Sequence, residues 1–166
     1  MPLLGNNIQI HPSAIVDSGA QIGDNTKIWH FVHVTSAAKI GSDCVIGHSC
    51  FIDGTIGDRV HISNFVSIYQ GCEIGDDTFI GNGVSFANVT IPKVHRPIDR
   101  NEYRKTIVGK NCTIEQNASI LPGANIAHDT IVGMGSVVCE DLPARVMVTG
   151  NPARIAIKSL KRMSGI

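Results

Sequence analysis

Between Phe86 and Val108 the chain reads ANVTIPKVHRPIDRNEYRKTI, and most of its reactive chemistry is gathered there. Lys93, His95, Arg96, Arg100, Arg104 and Lys105 stand close together, beside Glu102 and Tyr103. Cationic donors at that density suit a diphosphate or a carboxylate, because a guanidinium group meets either anion through two parallel hydrogen bonds. Asn88, at the start of the stretch, adds an amide that offers a donor and an acceptor on one small group.

A segment of this kind needs a rigid frame, and the flanking sequence supplies one with a period of six. Ile10, Val16, Ile22, Ile28, Val34, Ile40, Ile46 and Ile52 recur without a skipped position. The phase then slips by two residues near Gly54 and resumes at Ile56, Ile62, Ile68, Ile74, Ile80 and Phe86. After the cationic stretch it returns at Val108, Ile114, Ile120, Ile126, Val132 and Val138. An α-helix buries residues at spacings of three, four and seven, so six is not its period. Glycine commonly follows the apolar residue, and Asp, Asn or Ser follows the glycine, as in Gly23-Asp24-Asn25. Both types tolerate positive φ, so each hexapeptide reads as a short strand and a sharp corner. Three corners close a triangle, and stacked triangles of about 18 residues make a parallel β-helix. A β-sandwich would place its turn signals irregularly, roughly every 8 to 12 residues.

Composition agrees. Aromatics are 5% of the 166 residues, which suits a narrow interior filled by Ile, Val, Ala and Gly. Charged residues are 17% with a formal net charge of zero, which excludes a nucleic-acid backbone or an anionic membrane surface as a partner. No apolar run approaches about 18 residues and no leader opens the chain, so a cytoplasmic protein is expected. Cys44, Cys50, Cys72, Cys112 and Cys139 contain no C-x-x-C pair, which argues against a disulfide framework and a thiolate metal site and for mostly buried thiols. One domain over 1–166 is expected, with a loop inserted at about 88–106. Residues 1–9 are expected to cover one end of the prism. Residues 154–166 are expected to form a short amphipathic helix that offers Ile155, Leu160 and Met163 to the other end.

Stacking arithmetic locates the loop. Asn88 lies two residues past the ladder position of Phe86, as Gln70 does past Ile68, and the next turns bring Pro122 and Glu140 to the same corner. A polar amide at the base of a long loop, beneath a Pro-Gly pair where Gly123 lets a ligand approach backbone, is a candidate reacting centre.

With its hexapeptide period, the chain resembles the hexapeptide-repeat acyltransferases, left-handed β-helix trimers that use acetyl-CoA or an acyl carrier. IHPSAIVDSGAQIGDNTKIWHFVHV, NFVSIYQGCEIGDDTFIG, SFANV, EYRKTIV and VTGNPAR are similar to the nucleotide-sugar N-acetyltransferases of that family. Those enzymes acetylate the 3-amino group of UDP-2-acetamido-3-amino-2,3-dideoxyglucuronate for bacterial surface polysaccharide. The resemblance implies the left hand of the coil and a homotrimer with sites between subunits. It also implies acetyl-CoA as co-substrate, a nucleotide-sugar acceptor and no metal. It places Asn88 beside the acceptor amine, although Phe86-Ala87-Asn88 has Ala where the family's motif has Thr. His95 is the alternative, as a general base. Arg96 and Arg104 are assigned to the acceptor's anionic groups, with Gln70, Lys93, Glu102 and Tyr103 lining that side. Gly123, Gly135, Ser136, Asn151 and Arg154 are assigned to acetyl-CoA, and the backbone N–H near Gly123 to the developing oxyanion. The competing acceptor is a dTDP-linked 3-amino-3,6-dideoxyhexose; the competing class is a non-catalytic trimeric scaffold. A zinc carbonic anhydrase would need convergent histidines, and no His-x-x-x-x-His pair occurs.

Overall fold

The computed structural model describes residues 1–97 and 99–159. Within them the chain winds through three sheets in rotation, parallel in every pairing up to the last strand. Sheet A begins with Leu3–Leu4, sheet B with Gln9–Ile10 and sheet C with Ile15–Val16. Seven, nine and seven strands respectively are found among the described residues, almost all of two residues. Each strand pairs with the one a full turn away: Ile22 with Ile40, Ile46 with Ile62, Ile52 with Ile68. The repeat therefore makes the parallel β-helix that the period of six predicts.

Burial follows the ladder. From Ile22 to Val138 every ladder residue is buried, and Ile46, Ile62, Ile80 and Ile114 of sheet B have no exposed surface. A second interior column lies two residues before each ladder position. It holds Ala20, Thr26, Val32, Ala38, Cys44, Cys50, Val60, Val66 and Cys72, all buried. Only small side chains fit there, because the position lies in the acute angle between the two sheets that each corner joins. Four of the five cysteines belong to this column or its continuation at Cys112, while Cys139 is exposed. Burial pushes the thiols of Cys50, Cys72 and Cys112 up to about 11 and raises Cys44 as well.

At several corners the structure separates Gly from Asx, which the sequence groups together as residues tolerant of positive φ. Positive φ falls at Asn25, Asp43, Asp77, Asn111 and Asp129. The glycines two residues before the first four of these, Gly23, Gly41, Gly75 and Gly109, serve a different need. A Cβ on Gly41 would lie 2.6 Å from the backbone carbonyl group of Gly57 on the next turn. Side chains of successive corners then tie the turns together. Asn25 Nδ2 donates to Asp43 Oδ1 at 3.0 Å, and Arg59 makes a bidentate pair with Asp77 at 2.6 and 2.9 Å.

Two contractions share the edge between sheets C and A. Ile52 to Ile56 spans four residues where the repeat spans six, and Ile40 still pairs with Ile56. The second was not read from the sequence: Val138 is followed by Leu142, bridged to Ile126, and then by Val148, paired with Val132. The ladder thus continues past Val138.

Both terminal expectations change. Residues 1–9 are the first turn of the coil itself, with Leu3–Leu4 paired to Gln21–Ile22 and Gln9–Ile10 to Lys27–Ile28. At the other end, Arg154–Ile157 is a strand and not the start of a helix; it reverses and pairs antiparallel with Met147–Thr149. Sheet B would otherwise end in unpaired backbone groups, and the alternating β-branched residues Ile155 and Ile157 suit an extended chain. Leu160 and Met163 lie outside the described residues.

Close approach and positive φ predict different costs. Gly41→Ala should lower the unfolding free energy by about 3 kcal/mol, the scale of an overpacked contact that cannot relax. Gly135→Ala, with φ +67° and open space around its Cβ position, should cost about 1 kcal/mol from the left-handed backbone alone. Denaturant midpoints decide, and equal costs would refute the distinction. Thiol titration of the folded chain should find one fast-reacting cysteine, Cys139, with four more appearing only in denaturant.

Candidate active site

The loop leaves the coil after Ser85–Phe86 and rejoins it at Thr106–Val108, on the C–A edge. The ladder resumes in register across it, with Ile74 opposite Val108 and Phe86 opposite Ile120. Ile120 in turn pairs with Val138, so the ridge Gln70, Asn88, Pro122, Glu140 stands as stacking arithmetic predicts.

Two hydrogen bonds close the neck of the loop. The Arg104 N–H donates to the Asn88 backbone carbonyl at 2.9 Å. The Asn88 side chain donates through Nδ2 to the Gln70 carbonyl at 3.2 Å. A carbonyl only accepts, so this bond fixes which way the amide lies and leaves Oδ1 as its open atom. Asn88 is half-buried, which removes water from part of its surface without sealing it. The Gln70 bond needs no hydroxyl at position 87, so Ala87 does not cost the amide its anchor.

The cations sort into paired and open groups. Arg96 holds Glu102 through two bonds of 2.7 Å each, and Lys105 holds Glu73 at 2.8 Å. Arg104 pairs with no carboxylate among the described residues. Its stem lies over Gly123: a Cβ there would meet Arg104 Cδ at 3.2 Å, and Gly123 has φ +85°. Lys93 and His95 are exposed, and the imidazole of His95 has no polar partner among the described residues. The imidazole–carboxylate contacts lie elsewhere, at His33 with Asp17 (3.1 Å) and His128 with Asp129 (2.7 Å).

On the expected acetyl-CoA side the structure separates what the sequence grouped. Gly123 is on the C–A edge and Gly135 on the B–C edge of the same prism, with sheet C between them. The Gly123 N–H already donates to the buried Thr106 hydroxyl at 3.0 Å, which corrects its expected role as the open oxyanion donor. Ser136 is fully buried, and its Oγ accepts the Gly150 N–H at 3.2 Å. Its side chain ties the last turn together and is not available to a cofactor. Arg154 pairs with Glu140 at 3.2 Å, at the top of the ridge and beyond the exposed Asn151. Sequence reading missed the Arg96–Glu102 and Lys105–Glu73 pairs and the role of Thr106. The two pairs involve loop residues with no period from which a partner can be counted, whereas Thr106, two residues before Val108, is in the second interior column and was countable.

No group of three or more His, Cys, Asp or Glu side chains among the described residues is arranged to hold a metal ion. No helix among them is long and apolar enough to cross a membrane.

The family model for the bacterial transferase hexapeptide (six repeats) matches residues 1–36, 19–54 and 53–88, and the hexapeptide repeat of succinyl-transferase matches 105–140. Between the two lies the loop. A curated relative from Aneurinibacillus thermoaerophilus, dTDP-3-amino-3,6-dideoxy-alpha-D-galactopyranose 3-N-acetyltransferase, is 46% identical over 146 residues, covering 88% of this chain and 76% of the relative. Among solved structures, PerB from Caulobacter crescentus in complex with CoA and GDP-perosamine has 26% identity and a TM-score of 0.57. That match covers 92% of this chain, which spans only 57% of PerB. LpxA from Bacteroides fragilis, a UDP-N-acetylglucosamine acyltransferase, shares the fold at 15% identity, with a TM-score of 0.77 over 93% of this chain and 69% of its own. Repeats matched on both sides of one inserted loop, on a coil whose register carries straight across it, make this chain a member of the hexapeptide-repeat acyltransferases, the left-handed β-helix family.

Proposed function

We propose that this protein is an acetyl-CoA-dependent N-acetyltransferase acting on the 3-amino group of a nucleotide-linked aminosugar in surface-polysaccharide biosynthesis. The observation that carries the reading is the Asn88 amide at the loop neck, with Nδ2 spent on the Gln70 carbonyl and Oδ1 open. An amine N–H donating to Oδ1 has its lone pair turned toward the thioester carbonyl. Attack forms the C–N bond, the C–S bond breaks, and the departing CoA sulfur takes the proton that the nitrogen releases. An aminosugar amine is less basic than lysine, so a useful fraction is neutral near pH 7 and no protein base is required. His95, exposed and without a polar partner among the described residues, lacks the orienting contact that a held general base would have, which supports that account. The buried thiols, with their raised pKa values, are poor nucleophiles.

Arg104, stacked over Gly123, is our choice for the acceptor's anionic group, with Lys93 and Tyr103 beside it. The sequence motifs favour UDP-2-acetamido-3-amino-2,3-dideoxyglucuronate. The 46% identical relative supports the 3-amino position and speaks equally for a dTDP-linked 3-amino-3,6-dideoxyhexose. Acetyl-CoA and nucleotide-sugars are cytoplasmic metabolites, so we place the reaction there.

We also infer a homotrimer. Gly123 and Gly135 lie on different edges, so a ligand touching both would lie between two copies. The B–C edge exposes Trp29, Phe31 and Phe65, with Phe65 edge-on to His48, and Trp29, His30, His48 and His61 line an open depression of about 370 Å³. Apolar surface of this kind marks an interaction face, and a head-to-tail contact that closes at three copies would use it.

CoA release from acetyl-CoA should appear with a UDP- or dTDP-linked 3-amino sugar, fall at least about a hundredfold in Asn88→Ala, and persist within about threefold in His95→Ala. Loss in His95→Ala alone would replace the base-free account, and silence across the acceptor panel would favour a scaffold. Sedimentation should give about three times 17.7 kDa, and Phe65→Asp should reduce it to a monomer without transferase activity. A wild-type monomer that turns over would overturn the split site.

A further inference from the structure

We propose that Arg96 and Glu102 form a clasp that positions the acceptor loop, and that Arg96 does not itself bind the acceptor's anion; this rests on the N-acetyltransferase reading above. Arg96 was the first guanidinium assigned to the nucleotide-sugar, yet both of its terminal nitrogens face the Glu102 carboxylate, each at 2.7 Å. To grip a phosphate it would have to leave that carboxylate, and the carboxylate's charge would then repel the phosphate.

The position of the pair within the loop gives it a different use. One arm descends through Lys93 to Arg96, with the Arg96 N–H on the Lys93 carbonyl at 3.3 Å. The other returns from Asp99 to Arg104 through a 3-10 turn, Arg100–Glu102. In that turn the Glu102 N–H donates to the Asp99 carbonyl and the Asn101 N–H to Asp99 Oδ1, both at 2.9 Å. Each of these bonds stays within its own arm. Among the described residues, the Arg96–Glu102 pair is the tie across the two arms, and the Arg104–Asn88 bond closes the neck beneath it. The loop is therefore pinned at its base and once more above it.

Pinning the return arm fixes Tyr103 and Arg104, which follow Glu102 directly. The Arg96 side chain is 57% exposed and that of Glu102 35% exposed, so the pair adds little to global stability. Its effect is local. Without it the loop samples other shapes, and acceptor binding must supply the ordering that the clasp now provides in advance.

Direct binding and clasping predict opposite signs for Glu102→Gln. A directly binding Arg96, freed from its carboxylate, would hold the acceptor more tightly. A clasp that has lost one partner would hold it less tightly. We expect Glu102→Gln and Arg96→Glu each to raise KM for the nucleotide-sugar about fivefold, with KM for acetyl-CoA within about twofold of wild type. The charge-exchanged double variant R96E/E102R should recover most of the loss. Chymotryptic cleavage after Tyr103, measured on the same proteins, reports loop closure without reference to activity: faster in each single variant, restored toward wild type in the double. A lowered acceptor KM in Glu102→Gln would overturn the clasp, as would a double variant no better than Arg96→Glu. If no nucleotide-sugar is acetylated, the parent reading fails, and the cleavage rates still judge the clasp: equal rates in wild type and Glu102→Gln refute it.

Discussion

The parallel backbone stacking of one turn on the next governs this molecule. Each turn bonds to its neighbours along all three sheets, as where the Gln21 N–H donates to the Ala38 carbonyl, the Lys27 N–H to that of Cys44 and the Ile15 N–H to that of Val32. Turns must therefore sit one strand spacing apart, about 4.8 Å, wherever the chain goes. That distance dictates the corners. Where glycine follows the ladder residue, as at Gly23, Gly41 and Gly75, the position faces backbone of the adjacent turn too closely for a Cβ, and two residues later the chain bends through positive φ. Gly41 and Asp43 answer those demands separately.

The same stacking tolerates changes of length only at corners. A strand cannot gain or lose a residue without turning its buried side chain outward. The edge between sheets C and A absorbs the changes of turn length seen among the described residues: the contraction at Gly54, the inserted loop, and the contraction between Val138 and Leu142. The ladder resumes in phase after each one. An inserted loop is thereby mounted on a regular ridge, and Asn88 is the joint, since its backbone carbonyl closes the neck and its side chain grips the turn below.

Charge in the loop looks abundant when counted and sparse when paired. Glu102 takes Arg96 and Glu73 takes Lys105, which leaves Arg104 as the arginine of the neck without a carboxylate among the described residues. Its stem crosses Gly123, a position whose missing side chain serves the loop before it serves any ligand. The chemistry proposed for this site depends on orientation more than on proton transfer by the protein. An amide fixed by a carbonyl presents its own oxygen, and the buried thiols are held protonated by desolvation.

How much of this was legible beforehand follows from what repeats. The period of six fixed the strands, the interior ladder, the phase slip at Gly54, the position of the loop and the ridge beneath it, because parallel stacking converts sequence distance directly into position. The second interior column was equally periodic and escaped notice because its residues, Ala, Thr, Val and Cys, share size and not polarity. Leu142 and Val148 escaped because a contraction hides them from a fixed count. Thr106 and Ser136, each buried two residues before its ladder position, belong to the second interior column and share its period. Tertiary structure alone decided which cation meets which carboxylate and that Arg154–Ile157 closes sheet B as a strand. Those outcomes depend on distances between segments with no common period, set by loop closure and by the need of an exposed sheet edge for partners, and no spacing in the sequence encodes them.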